Sequence, residues 1–332
     1  MWKRSETELS VPLVEWPAVK WLAGRVARRL AKRLERRLSR AALLAMLALI
    51  ASCSTEQEVV QSEGQSEGQA VAQREGLETK PAPIVKLLND AQRVASGFAG
   101  GVFLLDGESG DVFATNEQWL VRAAIPASTF KVFSSLAALE SGVVASTDQI
   151  IRLPRYTSTR EEINRDLDFA SAFALSALPH YQHLVREIGA VRMQSYLDNA
   201  GYGNRSMGGG VDQFWISGDL RITPLEQLEF LQRLYRSDLP FRQEVMAQVK
   251  QIMQRDEYGG RVYGKTGWAT AADGLHTGWS VGWLEREAKE PLYFATLLQT
   301  TTPGDGFLTA RLALSLEALA QVEPTLAAVD SR

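Results

Sequence analysis

A serine and a lysine lie three positions apart in the segment Pro126-Ala127-Ser128-Thr129-Phe130-Lys131. If a helix begins at this serine, both side chains share one helix face, and the Ser128 hydroxyl can contact the Lys131 amine. Serine is a weak nucleophile at neutral pH unless a base takes its proton. A lysine becomes such a base when burial disfavours its charged form. The spacing is therefore compatible with nucleophilic catalysis, although the tetrad alone is a weak signal and an ordinary helix start is its usual interpretation.

A second candidate motif, Lys265-Thr266-Gly267, stands at the end of a predicted strand. There a fixed cation and a hydroxyl lie side by side, and the glycine lets a ligand approach the backbone. A surface strand end is the alternative interpretation when the triplet is taken alone. A Ser-x-x-Lys tetrad together with a Lys-Thr-Gly triplet resembles the signature of serine enzymes that react with penicillins, and the pair favours catalysis.

Hydrophobic patterning predicts the elements that must position these motifs. We predict a helix over 84–95, a hairpin of strands 101–105 and 111–115, a helix after Ser128, a mainly helical region over 154–253, strands 261–264, 279–284 and 293–299, and a last helix over 308–320. A helical block inserted between strands predicts one mixed α/β domain over 84–325 with an antiparallel sheet. A split into two domains stays open, but no linker marks it.

Charge is distributed unevenly along the 332 residues. Residues 1–52 contain 11 lysines and arginines against 4 acidic residues, so the remainder, with 25 basic and 35 acidic residues, has a net charge of −10. A globular part this acidic lacks the basic stripe that nucleic acids require. We therefore expect no nucleic-acid partner.

The first 52 residues have the pattern of a secretory signal peptide. An arginine-rich region over 25–40 precedes an apolar run over 41–50, and Ile50-Ala51-Ser52-Cys53 ends it with small residues. This end resembles a bacterial lipobox, which implies cleavage before Cys53 and lipid attachment to its thiol. A plain N-terminal anchor with an unmodified cysteine is the alternative. Residues 53–83, with the repeated unit Gln-Ser-Glu-Gly, predict a flexible tether.

The ordered set of motifs resembles the class D (oxacillinase-type) serine β-lactamases. The matching segments are Pro126-Ala127-Ser128-Thr129-Phe130-Lys131, Ser176-Ala177-Leu178-Pro179-His180-Tyr181-Gln182, Tyr202-Gly203-Asn204, Gly210-Val211-Asp212-Gln213-Phe214-Trp215 and Lys265-Thr266-Gly267-Trp268. They follow one another in the family's order over about 101–320. The resemblance implies the fold of serine β-lactamases and penicillin-binding proteins, with an antiparallel sheet flanked by helices and a helical subdomain.

The resemblance also implies the roles of the reacting groups. Ser128 attacks the lactam carbonyl, and Lys131, carboxylated by CO2, serves as the general base for acylation and deacylation. Leu178, Phe130 and Trp215 are candidates for an apolar pocket around that lysine, and the Trp215 indole N–H can donate to the carbamate. No other cofactor is implied.

Further roles concern the leaving group and the substrate. Ser176 would relay a proton to the lactam nitrogen, with Lys265 nearby; the alternative for Ser176 is a helix cap. The backbone N–H groups of Ser128 and Trp268 would form the oxyanion hole. Thr266, beside Gly267, and Arg311 would hold the substrate carboxylate, although Arg311 is also compatible with an exposed helix face.

The implied activity is β-lactam hydrolysis by a periplasmic protein that is lipid-anchored to a membrane, with the outer membrane favoured. A penicillin-binding D,D-peptidase and an acylated sensor remain alternatives, because the same residues serve both. The family usually has valine at the position of Leu178 and tryptophan at the position of Ile163. We expect the larger leucine to affect the turnover rate. Three histidines, His180, His183 and His276, lack a metal-binding pattern, so no metal site is predicted.

Overall fold

The computed structural model describes residues 85–87, 97–255 and 261–324, and seven strands within them form one sheet. The strands are β1 (Val85–Leu87), β2 (Ala99–Asp106), β3 (Val112–Ala114), β6 (Gln254–Arg255), β7 (Val262–Thr270), β8 (His276–Arg286) and β9 (Lys289–Thr300). Their order in the sheet is β1-β3-β2-β9-β8-β7-β6. Two short strands, β4 (Ile150–Ile151) and β5 (Leu167–Asp168), pair separately. Neighbours in the large sheet are antiparallel except β1 and β3.

Most of the helices lie between β3 and β6 in the chain. They are α1 (Glu117–Leu120), α2 (Phe130–Glu140), α3 (Phe169–Ala174), α4 (Leu178–Ile188), α5 (Ala190–Ala200), α6 (Pro224–Tyr235), α7 (Gln243–Met253) and, after β9, α8 (Phe307–Val322). Short 3-10 turns occupy Ala127–Thr129 and Glu161–Ile163. The described residues from 85 onward belong to one compact unit.

The sheet is buried on both faces. In β2, Val102 and Leu104 pack with residues of α8. Phe103 and Leu105 pack on the other face with the helices that lie between β3 and β6 in the chain, which we call the helical block. Successive side chains of a strand point to opposite faces, so one apolar strand serves two cores. The same arrangement explains why β2 is a continuous apolar run instead of an alternating one.

Helix α2 lies in the centre of the helical block. Each residue from Phe130 to Leu139 is buried, including Lys131, Ser134 and Ser135. An apolar surface all around a helix is typical of one enclosed by other elements. Consequently, the side chain of Lys131, the lysine of the Ser-x-x-Lys tetrad, is enclosed in the core.

The predicted fold class is confirmed, and the predicted hairpin, late strands and terminal helix are present with somewhat different bounds. The helix predicted over 84–95 is wrong where the structure describes it, because Val85–Leu87 is a strand that pairs with β3. An edge strand offers unpaired backbone groups, and pairing with them outweighs the weak local preference for a helix. Residues 88–96 of that prediction lie outside the described residues.

The position of Lys265-Thr266-Gly267 also differs from the prediction. The triplet lies in the middle of β7, which continues to Thr270, instead of at the strand's end. Strand β8 has eleven residues and pairs with β7 through Thr270, so the backbone stays extended beyond Gly267. In contrast, β6 pairs only with Val262 and Tyr263. From Gly264 onward, one edge of β7 has no strand partner within the described residues.

The signal segment 1–52, the tether 53–83 and Cys53 lie outside the described residues. The boundaries of these segments therefore stay predictions. Of the helices that the structure describes, none has the length and apolarity needed to cross a membrane.

Candidate active site

The predicted contact between Ser128 and Lys131 is present, with 2.9 Å between the lysine Nζ and the serine Oγ. A 3-10 turn over Ala127–Thr129 carries the serine, and α2 begins only at Phe130. Residues i and i+3 eclipse each other in a 3-10 helix, so the tighter turn brings the two groups together. Ala127, just before the serine, has a φ of 51°. A non-glycine residue in this region is strained, and such strain is common at functional sites.

Lys131 is completely buried. Desolvation lowers the pKa of its amine to about 7, and the positive charge of Arg160 contributes in the same direction. The amine lies 5.2 Å from the centre of the Tyr181 ring, in α4. Near neutral pH, a large fraction of this amine is therefore uncharged and able to accept a proton.

A second buried lysine stands beside the first. The Lys265 amine donates to Ser176 Oγ and to the carbonyl of Thr266, both at 3.0 Å. Burial lowers its pKa well below the usual value, and the nearby charge of Lys131 adds to the effect. Within the described part of the chain, neither lysine forms an ion pair with a carboxylate. Burial without a counter-ion disfavours the charged form of both amines.

Ser176 lies in the short connection between α3 and α4, with a φ of 54°. It is not the helix cap that the alternative interpretation required, because the N-cap of α4 is Ala177. The neighbouring carbonyl of Leu175 accepts a hydrogen bond from Arg160 Nη2 at 3.1 Å. The strained backbone directs the Ser176 hydroxyl to the Lys265 amine, within reach of the same cavity as Ser128.

Trp215 is fully buried and stacks on Phe130, with 5.3 Å between the ring centres. Its carbonyl accepts a hydrogen bond from the backbone N–H of Ala127 at 3.0 Å. This bond connects Trp215 to the 3-10 turn over Ala127–Thr129 that carries Ser128, the nucleophile turn. The indole Nε1 has no hydrogen-bond partner among the described residues. Leaving a buried donor unpaired costs about 1–3 kcal/mol. The indole N–H of Trp215 is therefore able to donate to an acceptor bound beside the turn that carries Ser128.

Leu178 is the first residue of α4 and is partly buried against the core that contains Phe130 and Trp215. Its side chain also lines the cavity beside Ser128. Phe130, Trp215 and Leu178, which come from three separate segments of the chain, therefore belong to one hydrophobic cluster.

The central part of β7 forms another wall of the cavity through Thr266, Gly267 and Trp268. A Cβ atom on Gly267 would lie 3.0 Å from the carbonyl oxygen of Pro126 and 3.1 Å from the backbone nitrogen of Thr129. A side chain at this position would force the strand and the turn that carries Ser128 to move apart slightly, so glycine suits this close approach. Trp268 is 44% exposed, and its indole donates to His276 Nδ1 at 3.1 Å.

Arg311 lies in the first turns of α8 and is largely buried, which decides against the exposed helix face. Its Nη1 donates to the carbonyl of Gly267 at 2.5 Å, and its Nε donates to the carbonyl of Leu308 at 3.0 Å. Burial lowers the pKa of its guanidinium to about 10, so the group keeps its charge at neutral pH.

One cavity of about 670 Å³ is lined by the predicted residues Ser128, Ser176, Leu178, Lys265, Thr266, Gly267, Trp268 and Arg311, whereas Lys131, Phe130 and Trp215 lie outside its lining. Sequence reasoning missed two of its cations, Arg160 and Arg255, since neither belongs to a recognisable motif. No acidic residue is among the described residues that line the cavity. The arrangement suits an anionic substrate that reacts at Ser128. The described residues also contain no cluster of three or more potential metal ligands.

Comparisons with known proteins agree with this geometry. Residues 100–316 match the model of the penicillin binding protein transpeptidase domain. Beta-lactamase OXA-10 of Pseudomonas aeruginosa is 38% identical over 203 residues, which cover 59% of this chain and 74% of that protein. Regulatory protein BlaR1 of Bacillus licheniformis is 34% identical over 219 residues, covering 66% of this chain but only 36% of that protein.

A solved structure supports the same grouping. The class D β-lactamase YbXI from Nostoc superposes with a TM-score of 0.64 and 34% identity, covering 69% of this chain and 97% of that one. The family model spans well over half of this chain, and OXA-10 is covered over about three quarters of its length. The chain therefore belongs to the penicillin-binding-protein transpeptidase family and, within it, to the class D serine β-lactamases.

Proposed function

We propose that this protein hydrolyses β-lactams through an acyl-enzyme on Ser128, with Lys131 as the residue that carries the general base. The contact of 2.9 Å between the serine hydroxyl and a completely buried lysine amine is the observation that carries the proposal. Burial supplies the low pKa of the amine that proton abstraction requires.

In the proposed acylation, Ser128 Oγ forms a bond to the lactam carbonyl carbon and gives its proton to the base carried by Lys131. The oxyanion accepts hydrogen bonds from the backbone N–H groups of Ser128 and Trp268. The lactam C–N bond then breaks as the nitrogen takes a proton from the Ser176 hydroxyl, which the Lys265 amine contacts, and the proton that the base took from Ser128 replaces the one that Ser176 has given. Water then attacks the ester carbonyl and gives a proton to the base, and the ester C–O bond breaks as the base returns that proton to Ser128 Oγ.

The residues around Lys131 fit a carbamate formed from CO2. Only a neutral amine reacts with CO2, and desolvation provides one near pH 7. The orphaned Nε1 of Trp215 would gain an acceptor, and the amine of Lys265 would gain the counter-ion that it lacks. When bound, the group supplies an anionic oxygen as base.

The wall of the cavity that β7 forms is suited to substrate binding. Thr266 lines the cavity on β7, and the guanidinium of Arg311 reaches the same strand through the carbonyl of Gly267. We propose that these two side chains hold the carboxylate of the β-lactam. The test of the function is hydrolysis of a chromogenic β-lactam by the full chain, with and without added bicarbonate. Absence of turnover under both conditions contradicts the proposal.

A penicillin receptor is the second candidate, and the similarity to BlaR1 is the specific observation in its favour. A receptor needs acylation of Ser128 without rapid loss of the acyl group. Mass spectrometry of the full chain after mixing with benzylpenicillin distinguishes the two functions. A transient adduct indicates the hydrolase, and an adduct that persists for many minutes indicates the receptor.

The pH dependence follows from the lysine. With a pKa of about 7 in the folded protein, the Lys131 amine gains a proton as the pH falls through this value and ceases to react with CO2. We expect kcat to decline on the acid side of pH 7 and bicarbonate to shift the decline to lower pH. A steady-state pH profile at two bicarbonate concentrations measures this, and identical profiles contradict it.

We also propose that the mature protein begins at a lipidated Cys53 and is held on the periplasmic side of a membrane. The support is the basic, apolar and small-residue pattern before this cysteine. In cells fed a labelled fatty acid, the wild type is expected to incorporate label and to sediment with membranes. Cys53→Ser is expected to do neither, and label retained in this variant contradicts the anchor.

A further inference from the structure

Arg160 stands at the rim of the active-site cavity, at the entry to the 3-10 turn Glu161–Ile163. Its Nη2 donates to the carbonyl of Leu175 at 3.1 Å, and its side chain is about half exposed. The guanidinium is thus fixed at one edge while the group as a whole remains open to solvent. A planar, fixed and always charged donor of this kind suits recognition of a carboxylate.

The two guanidiniums of Arg160 and Arg311 are held by different walls of the cavity. Arg311 is bound to the carbonyl of Gly267 in the sheet, whereas Arg160 is bound to the carbonyl of Leu175 in the helical block. The charge of Arg160 also reaches the reacting groups, because it helps to lower the pKa of both Lys131 and Lys265. In a part of the chain with a net charge of −10, the cavity is a local concentration of positive charge.

Arg160 already binds one carboxylate. Its Nε donates to Glu162 Oε1 at 2.8 Å, and the Glu162 side chain is about half exposed. Exposed ion pairs of this kind are weak, so an acidic group on a bound ligand can share or replace this contact. The proposed function assigns the carboxylate of the β-lactam nucleus to Thr266 and Arg311, which leaves Arg160 for another part of the substrate.

We propose that Arg160 binds an acidic group on the acyl side chain of the substrate, so that the enzyme favours β-lactams with two negative charges. The inference rests on the proposed reaction at Ser128, and it adds the residue that sets preference among substrates. Arg160 acts here as a specificity-determining residue and takes no part in proton transfer.

Benzylpenicillin and α-carboxybenzylpenicillin provide a matched test, because they differ by one side-chain carboxylate. The readout is the ratio of their second-order rate constants for acylation of Ser128, which needs no subsequent turnover. Arg160→Gln is expected to lower the ratio of dianion to monoanion about fivefold. Arg160→Lys keeps the charge and is expected to retain part of the preference. Glu162→Gln removes the competing carboxylate and is expected to raise the ratio.

Arg152→Gln is the control, since Arg152 is exposed, pairs with Asp166 and does not line the cavity. It is expected to leave the ratio unchanged. The preference of the wild type is expected to shrink as salt rises from 0.05 to about 0.5 M, because exposed charges are screened.

If Arg160→Gln lowers the acylation rate constants of both penicillins equally, the inference is overturned. Such a result reports only the loss of the hydrogen bond from Arg160 to the carbonyl of Leu175. An unchanged ratio in that variant overturns it as well. If neither penicillin acylates Ser128 in the wild type, the proposed function falls and this inference falls with it. Acylation by both penicillins with no effect of Arg160 leaves the proposed function standing alone.

Discussion

Lys131→Ala is expected to lose both half-reactions, with deacylation slowed by about 10³- to 10⁴-fold, because the variant lacks the residue proposed to carry the base for each of them. Ser176→Ala removes only the proton relay to the leaving nitrogen, and Ser176 contacts Lys265 rather than Ser128. We therefore expect its deacylation rate to fall much less than its acylation rate. Rapid-mixing mass spectrometry, which follows formation and loss of the adduct on Ser128, measures the two steps separately.

Lys250→Ala is a matched control for this comparison. Lys250 is also partly buried, and its amine donates to the carbonyl of Tyr235 and to Ser237, but it does not line the cavity. Its variant is expected to turn over β-lactams at the wild-type rate. Equal loss of deacylation in Lys131→Ala and Ser176→Ala would contradict the assignment of the base to Lys131.

Trp215→Phe is expected to make activity depend strongly on added bicarbonate. The change keeps an aromatic ring against Phe130 but removes the unpartnered Nε1 donor. A hydrogen bond to a charged group contributes about 1.5–3 kcal/mol, so the affinity for CO2 is expected to fall by roughly 10- to 150-fold. Activity in ambient CO2 falls accordingly, and high bicarbonate restores most of it. Steady-state rates across a bicarbonate titration measure the shift.

Trp283→Phe tests whether this effect is specific. Trp283 is also fully buried with an unpartnered Nε1, but it stacks on Tyr263, whereas Trp215 stacks on Phe130 and its carbonyl accepts a hydrogen bond from Ala127 beside the nucleophile. The loss of the Trp283 indole N–H is expected to leave the bicarbonate dependence unchanged. If Trp215→Phe is as active as the wild type in ambient CO2, the indole donor has no role in holding the carbamate.

The sequence predicts the site better than it predicts the elements that carry it. Contacts between neighbours in the chain follow from spacing, so the pair Ser128 and Lys131 was predictable before any fold was known. The meeting of Ser176 with Lys265 joins residues 89 positions apart, and only the family resemblance indicated it. Spacing alone contains no information on which distant segments pack together.

The sequence-based predictions that were wrong or incomplete have a common physical origin. Strand β1 exists because the edge of β3 is available to it, and the triplet Lys265-Thr266-Gly267 stays extended because β8 pairs with it. Both outcomes depend on partners in the sheet, which local propensity does not describe. Arg160 was missed for a related reason. Its importance comes from the carbonyl of Leu175 that fixes it at the cavity, and no motif contains it.

The central claim is that burial leaves the Lys131 amine uncharged and reactive beside the nucleophile. The most direct test is a ¹³C NMR spectrum of the full chain in ¹³C-labelled bicarbonate, compared with the spectrum of Lys131→Ala. We predict one protein-bound carbamate signal in the wild type that is absent from the variant and weakens as the pH is lowered below about 7. A wild type without this signal at saturating bicarbonate, or a signal that persists in Lys131→Ala, would contradict the account.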